Sequence, residues 1–206
     1  LAIRGSGAVN GVSQLHGEVS RKLFRNLFPR WPAEEVPVGY VTNGVHMPCW
    51  DSEHADKIWT DACGKDRWKG NLENLDQQIL QIPGEKLWKL RNESRKNLVG
   101  FIRNEFERQV SASGQPGMIE MAKEIFDPNT LTLGFARRFV PYKRPDLLLY
   151  DPERFIRILT SPEKPVQLVI AGKAPPFDES GKILIRRWIQ FIQRHNLYKH
   201  VIFLND

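Results

Sequence analysis

The chain has 206 residues, of which 41% are hydrophobic and 26% are charged. This balance is typical of a globular protein that buries its own core, and it excludes intrinsically disordered and fibrous proteins. The net charge of +6 is compatible with nucleic-acid binding, so the placement of the basic residues has to decide that question.

The first 126 residues combine loops with helical patterns. Residues 15–27 are predicted to form a helix. Residues 38–42 are predicted to form a short strand that ends at an Asn-Gly turn. Residues 85–108 have the spacing of an amphipathic helix. The predicted apolar face of this helix consists of Leu87, Leu90, Leu98, Phe101, Ile102 and Phe106.

From residue 127 onwards, strand patterns alternate with helical ones. Apolar runs predict strands over residues 131–135, 166–171 and 201–204, and the continuous apolar run at 166–171 is typical of a parallel strand covered on both faces. Helices are predicted over residues 145–159, with Pro145 in the first turn, and over 180–195. The order βαβαβ predicts an α/β fold with a doubly wound parallel sheet and right-handed crossovers.

A basic segment follows the first of these predicted strands. Ligands of open α/β sheets bind where the strands end, and cations beside a helix N-terminus attract anionic oxygens. The segment is therefore a candidate phosphate site. Basic residues in such loops also pair with acidic neighbours or face solvent, and that alternative stays open here. Its four cations are Arg137, Arg138, Lys143 and Arg144.

Two other loops are candidates for the same site. The loop 172–179 follows the second strand, where Gly172 permits a close backbone approach and Asp178 or Ser180 can cap the next helix. In the first region, Asn43 can hydrogen-bond to sugar hydroxyls, although Asn-Gly turns are common without any ligand. The five histidines do not have the spacing of metal ligands, and the sequence contains no phosphate-loop motif.

The cysteine content and the two ends of the chain carry further expectations. Only Cys49 and Cys63 are present, which favours a reducing, cytoplasmic compartment over a disulfide framework or a zinc site. No apolar run reaches the roughly 18 residues that a membrane span needs. The chain begins without methionine and stops directly after an apolar run, so we expect an internal fragment of a longer protein.

Five segments form a series along the chain: Ala8-Val9-Asn10-Gly11-Val12 with Leu15-His16, Val41-Thr42-Asn43-Gly44-Val45 followed by Trp50, and residues 134–144, 166–174 and 201–204. In this order and spacing they resemble the glycogen and α-glucan phosphorylases. The resemblance covers nearly the whole chain and is greatest to the bacterial and archaeal α-glucan phosphorylase branch.

The resemblance implies a glycosyltransferase of the GT-B type, which has two Rossmann-like domains. Residues 1–126 would form the end of the N-terminal, glucan-binding domain, and residues 127–206 the first half of the C-terminal domain. Such enzymes transfer a terminal α-1,4-linked glucosyl unit to inorganic phosphate and release α-glucose 1-phosphate. They use the phosphate group of pyridoxal phosphate as a proton relay. No residue here matches the family's Schiff-base lysine, so the 206 residues alone are expected to be inactive.

The resemblance also assigns roles to individual residues. Arg137 stands at a position that is usually lysine in the better-known enzymes. Val140 and Pro141 replace a His-Glu pair of the animal enzymes, so the shape of this loop is expected to differ. The assigned roles are contact with the substrate phosphate for Arg138 and Lys143, contact with sugar hydroxyls for Asn43 and Tyr142, and contact with the cofactor for Arg137 and Trp50.

Two alternatives remain open at this point. Another GT-B enzyme, such as a glycogen synthase, would use a nucleotide-sugar donor and would share the phosphate-binding cations but not the Thr42-Asn43-Gly44 segment. A non-catalytic nucleic-acid-binding module would interleave aromatic residues with its basic stripe, and only Phe139 and Tyr142 have that placement. We therefore expect α-1,4-glucan and phosphate as partners, with no nucleic acid and no membrane, whereas the oligomeric state does not follow from the sequence.

Overall fold

The structure, a computed structural model, describes residues 2–69, 73–114 and 116–205. It consists of two compact units, one of Leu1–Asp56 with Trp68–Gly70 and the other of Lys57–Arg67 with Asn71–Asp206. The predicted domain division after residue 126 concerns the two-domain organisation implied by the resemblance, and it stays a prediction. Among the helices of the described residues, none is long and apolar enough to cross a membrane.

The first unit is built from short elements around two paired strands. These strands are parallel, with Asn10 opposite Gly39, and the second helix packs on them. Gly17 of that helix permits this packing, because a Cβ at this position would lie 3.0 Å from the carbonyl oxygen of Gly39. Its elements are α1 (Ala2–Gly5), β1 (Asn10–Gly11), α2 (Gln14–Phe24), β2 (Gly39–Tyr40), α3 (Met47–Trp50) and the start of α4 (Glu53–Cys63).

Sequence-based predictions for this unit hold for the helix and only in part for the strand. The predicted helix over residues 15–27 is present as α2 followed by a 3-10 turn, Arg25–Leu27. Its N-cap is Ser13, whose hydroxyl accepts a hydrogen bond from the N–H of His16 at 3.2 Å. The strand predicted over residues 38–42 is reduced to two residues.

The second unit contains a three-stranded parallel sheet in the order β3-β4-β5. In this register Leu131 pairs with Val166, and Leu168 pairs with Val201. The sheet confirms the predicted α/β class and the βαβαβ order. Its elements are α5 (Leu75–Leu80), α6 (Gly84–Ala112), α7 (Ile119–Glu124), β3 (Leu131–Ala136), α8 (Pro152–Leu159), β4 (Val166–Ala171), α9 (Glu179–Arg194) and β5 (Val201–Leu204).

Helices cover both faces of β4 and β5, as the continuous apolar run of β4 predicts, whereas Leu131 and Leu133 of β3 are exposed. Side chains alternate along each strand, so Val201 and Phe203 belong to one core cluster with α8 and α9. Ile202 and Leu204 belong to a second cluster with α6 and α7. All four side chains of β5 are buried, so this strand is fixed from two sides.

The buried face of α6 differs from the predicted one. Val99, Ile102, Phe106 and Val110 are buried, whereas Phe101 is 58% exposed. These buried positions are three or four residues apart and form a single stripe. The sequence pattern was misleading because Phe101 and Ile102 are adjacent, and only Ile102 lies on the stripe that packs against the sheet.

The prediction that a helix begins at Pro145 is wrong. Residues Leu147–Leu149 form a 3-10 turn, and α8 begins at Pro152. Asp151 caps α8 by accepting a hydrogen bond from the N–H of Arg154 at 3.0 Å. Proline is favourable in the first helical position because an N–H there has no partner within the helix. The helix therefore begins at Pro152 rather than at Pro145.

Candidate functional site

The basic segment 137–144 leaves β3 at the carboxyl edge of the sheet and stays attached to the neighbouring loop. The N–H of Arg137 donates to the carbonyl of Ala171 at 3.1 Å, and the N–H of Phe139 donates to the carbonyl of Lys173 at 2.9 Å. Parallel pairing therefore continues beyond the ends of β3 and β4. The two predicted loops lie side by side at the edge where ligands bind in such sheets.

Gly172 makes this close contact possible. Its φ of 149° lies in the region that favours glycine. A Cβ at this position would be 2.1 Å from the carbonyl oxygen of Arg137, far inside van der Waals distance. The predicted close backbone approach at Gly172 is thus observed, and the partner is the basic segment itself.

Phe139 anchors the basic segment in the core. Its side chain is fully buried, and its ring centroid lies 5.9 Å from that of Phe135 and 5.5 Å from that of Phe203. Arg137 and Arg138 precede this anchor in the chain and are exposed. The segment is therefore held by an apolar residue while its two arginines remain available to an anion from solvent.

A 3-10 turn, Pro141–Lys143, follows the anchor. The N–H of Arg144 donates to the carbonyl of Pro141 at 2.9 Å, and Arg144 has a left-handed φ of 48°. Within this turn the Lys143 ammonium lies 5.7 Å from the centroid of the Tyr142 ring, a cation–π distance. Tyr142 is 78% exposed, so its hydroxyl is accessible.

The helix N-terminus beside the basic segment belongs to α9 and not to a helix that continues the segment. A Cβ on Gly181, in the first turn of α9, would lie 2.3 Å from the carbonyl oxygen of Phe139. Asp178 caps this helix by accepting a hydrogen bond from the N–H of Gly181 at 3.0 Å, as predicted. Asp178 and Glu179 place two carboxylates at this helix end, so the attraction for an anion comes from the cations of the segment rather than from the helix dipole.

Contacts with α9 also fix the far end of the basic segment. The indole N–H of Trp188 donates to the carbonyl of Pro145 at 2.8 Å, and the Arg187 guanidinium lies 3.0 Å from an Asp146 carboxylate oxygen. Sequence reasoning also missed Lys173, an exposed cation on the neighbouring loop. The backbone pairing with Phe139 brings Lys173 to this edge, and only its position directly after Gly172 signals that placement.

The remaining predicted site residues lie in the first unit. The N–H of Asn43 donates to the carbonyl of Val12 at 3.1 Å, which attaches the segment after β2 to the segment after β1. Trp50, the last residue of α3, is 78% exposed. In the same segment His46 Nδ1 lies 3.0 Å from Cys49 Sγ. The ligand-binding roles of Asn43 and Trp50 stay predictions, as do those of the basic segment.

No family model matches the chain. It is 36% identical over 208 residues to a glycogen phosphorylase of Mycobacterium tuberculosis, covering 99% of this chain and 24% of that protein. It is 36% identical over 209 residues to a glycogen phosphorylase of Aquifex aeolicus, covering 100% and 30% respectively. It is 37% identical over 189 residues to a maltodextrin phosphorylase of Thermococcus litoralis, covering 91% and 22%.

The chain thus spans between 22% and 30% of the length of these relatives. They come from bacteria and an archaeon, in agreement with the branch that the sequence motifs favour. The resemblance stated from the sequence motifs is confirmed: over nearly its whole length, this chain matches a segment of the glycogen and α-glucan phosphorylase family.

Proposed function

We propose that this chain is part of an α-glucan phosphorylase of the GT-B type, which transfers a terminal α-1,4-linked glucosyl unit to inorganic phosphate and yields α-glucose 1-phosphate. The observation that carries the proposal is the basic segment at the carboxyl edge of a parallel sheet, in a chain related to phosphorylases. Residues 1–126 would belong to the N-terminal domain and residues 127–206 to the C-terminal one. The cytoplasmic location expected from the cysteine content is part of this proposal.

In this proposal Arg138 and Lys143 hold the substrate phosphate. Phosphorolysis brings a phosphate dianion close to a second phosphate group, and two like unit charges about 4 Å apart repel by roughly 4 kcal/mol at an effective dielectric constant of 20. Arginine and lysine beside the N-terminus of α9 offset this repulsion and stabilise charge that develops in the transition state. Their backbone is fixed before substrate arrives, because Phe139 anchors it in the core.

The residues of this edge also fit a phosphorylated cofactor. Arg137 is an exposed cation whose backbone N–H is paired with Ala171, and Gly172 presents no side chain beside it. When bound, pyridoxal phosphate supplies a phosphate group that relays a proton. Arg137 would hold that phosphate group. For Trp50, in the first unit, a cofactor contact is proposed separately, from the resemblance, and its indole is exposed.

Two polar side chains are proposed to bind the glucosyl unit. The Tyr142 hydroxyl and the Asn43 carboxamide can each donate and accept hydrogen bonds, as recognition of sugar hydroxyls requires. Both side chains are exposed. The proposed partners of the protein are α-1,4-glucan and inorganic phosphate, and the basic residues of the second unit are proposed to bind a local anion rather than a nucleic-acid backbone.

The test is phosphorolysis by a polypeptide of phosphorylase length that carries this segment. We expect phosphate-dependent release of glucose 1-phosphate from glucan in the wild type. Arg138→Ala should lower kcat/KM about 10²- to 10³-fold, the usual effect of losing one donor to developing charge. The control is Arg186→Ala, which removes an exposed arginine of α9 and should leave kcat/KM within about twofold, since isolated surface positions contribute little. No release by the wild type, or equal losses in both variants, would contradict the proposal.

A further inference from the structure

The outer edge of β5 is the feature that the proposed function does not explain. Among residues 2–69, 73–114 and 116–205, β5 has a strand neighbour, β4, on one side only. An apolar strand with an unpaired edge is a template for pairing with another chain. β5 is apolar and buried along its whole length, so the polar groups on its free side need partners.

Gln109 of α6 supplies partners at the carboxyl end of this edge. Its side-chain Nε2 donates to the carbonyl oxygen of Phe203 at 3.1 Å. Its Oε1 accepts a hydrogen bond from the backbone N–H of Asn205 at 2.9 Å. One carboxamide thus forms hydrogen bonds with a backbone carbonyl and a backbone N–H that are two residues apart.

This is the pattern that a neighbouring parallel strand would make. In a parallel ladder, one residue donates to the carbonyl of one residue of its partner strand and accepts from the N–H two residues further on. A primary carboxamide carries the same donor and acceptor as a peptide group. Gln109 therefore stands where the N–H and C=O of one residue of a further strand would pair with β5.

We propose that Gln109 is a side-chain cap that ends the sheet at β5. While it is in place, no further strand can pair with the carboxyl end of β5. The same two hydrogen bonds tie Asn205, the first residue after β5, to α6. The cap thus protects an apolar edge against pairing with other chains and fixes the start of the third loop at the carboxyl edge. It does not depend on the proposed phosphorylase activity.

The test uses hydrogen exchange measured by NMR on the full 206-residue chain. In the wild type, the Gln109 carboxamide protons should exchange roughly three- to tenfold more slowly than those of Gln193, the range expected for one net hydrogen bond. Gln193 is a fair reference because it lines the same groove on α9 and is exposed. This comparison needs no variant, so a folding defect cannot obscure it.

A pair of variants extends the test. Gln109→Met keeps the length of the side chain but removes donor and acceptor, so the Asn205 amide should exchange roughly three- to tenfold faster, and the chain should self-associate at high concentration by light scattering. Gln193→Met makes the same change in the same groove and should alter neither. The proposal is overturned if the Gln109 and Gln193 carboxamides exchange at equal rates, or if Gln109→Met leaves the Asn205 amide rate unchanged.

Discussion

Gly172→Ala tests whether contact between the two loops positions the basic segment. The new Cβ would lie 2.1 Å from the Arg137 carbonyl oxygen and 3.0 Å from its carbonyl carbon. Both atoms belong to the backbone, so no side-chain rotation relieves the clash. The loops must separate, which breaks the hydrogen bonds from Arg137 to Ala171 and from Phe139 to Lys173.

The expected loss of stability follows from these contacts. Two backbone hydrogen bonds contribute about 0.5–1.5 kcal/mol each, and a strained backbone at positive φ costs about 1–3 kcal/mol. The sum is about 2–6 kcal/mol, a large part of the roughly 5–15 kcal/mol that stabilises a typical domain. Urea unfolding followed by circular dichroism measures this difference.

Gly114→Ala is the matched control for this experiment. Gly114 also has a positive φ, 68°, but a Cβ there would meet nothing within 4 Å. Its replacement should cost only the backbone term, about 1–2 kcal/mol. If Gly172→Ala destabilises the chain no more than Gly114→Ala does, the steric reasoning about the loop contact is wrong.

Two further substitutions test other parts of the site. Phe139→Ala should lower the free energy of unfolding by about 3–5 kcal/mol because the ring is fully buried. The control Phe177→Ala, at a 98% exposed position, should change it by less than about 0.5 kcal/mol. Similar losses in the two variants would refute the anchoring role of Phe139. Asp178→Ala removes the N-cap of α9 and should cost about 1 kcal/mol in urea unfolding, while Asp178→Asn, which keeps an acceptor, should cost less; equal costs would argue against the cap.

The strands could be predicted from the sequence because each depends on local pattern. The continuous apolar runs at 166–171 and 201–204 match β4 and β5 in both bounds. The start of α8 could not be predicted in the same way. Pro145 and Pro152 are both acceptable first-turn residues, and tertiary contacts decide between them, since the carbonyl of Pro145 is engaged by Trp188.

The position of the candidate site could be predicted from the sequence, but the packing contacts that hold its backbone could not. The rule that ligands bind at the carboxyl ends of parallel strands is sufficient to locate Arg138 and Lys143. The ring contact between Phe139 and Phe203, and the approach of Phe139 to Gly181, join segments far apart in the chain. Periodicity carries no information about such pairs. The sequence therefore indicates the N-terminus of the predicted helix 145–159 beside the basic segment, whereas the structure places that of α9 there.

In the proposed function, the basic segment forms one phosphate site at the carboxyl edge of the sheet. Titration of the 206-residue chain with inorganic phosphate, followed by NMR, tests it most directly. We predict one saturable set of shifts at the amides of 137–144 and 172–181, weakened about tenfold or more by Arg138→Ala and by Lys143→Ala, since each removes a charge-assisted contact. Arg186→Ala should leave the affinity unchanged. Shifts spread over the surface lysines and arginines, or equal weakening by all three variants, would contradict the claim.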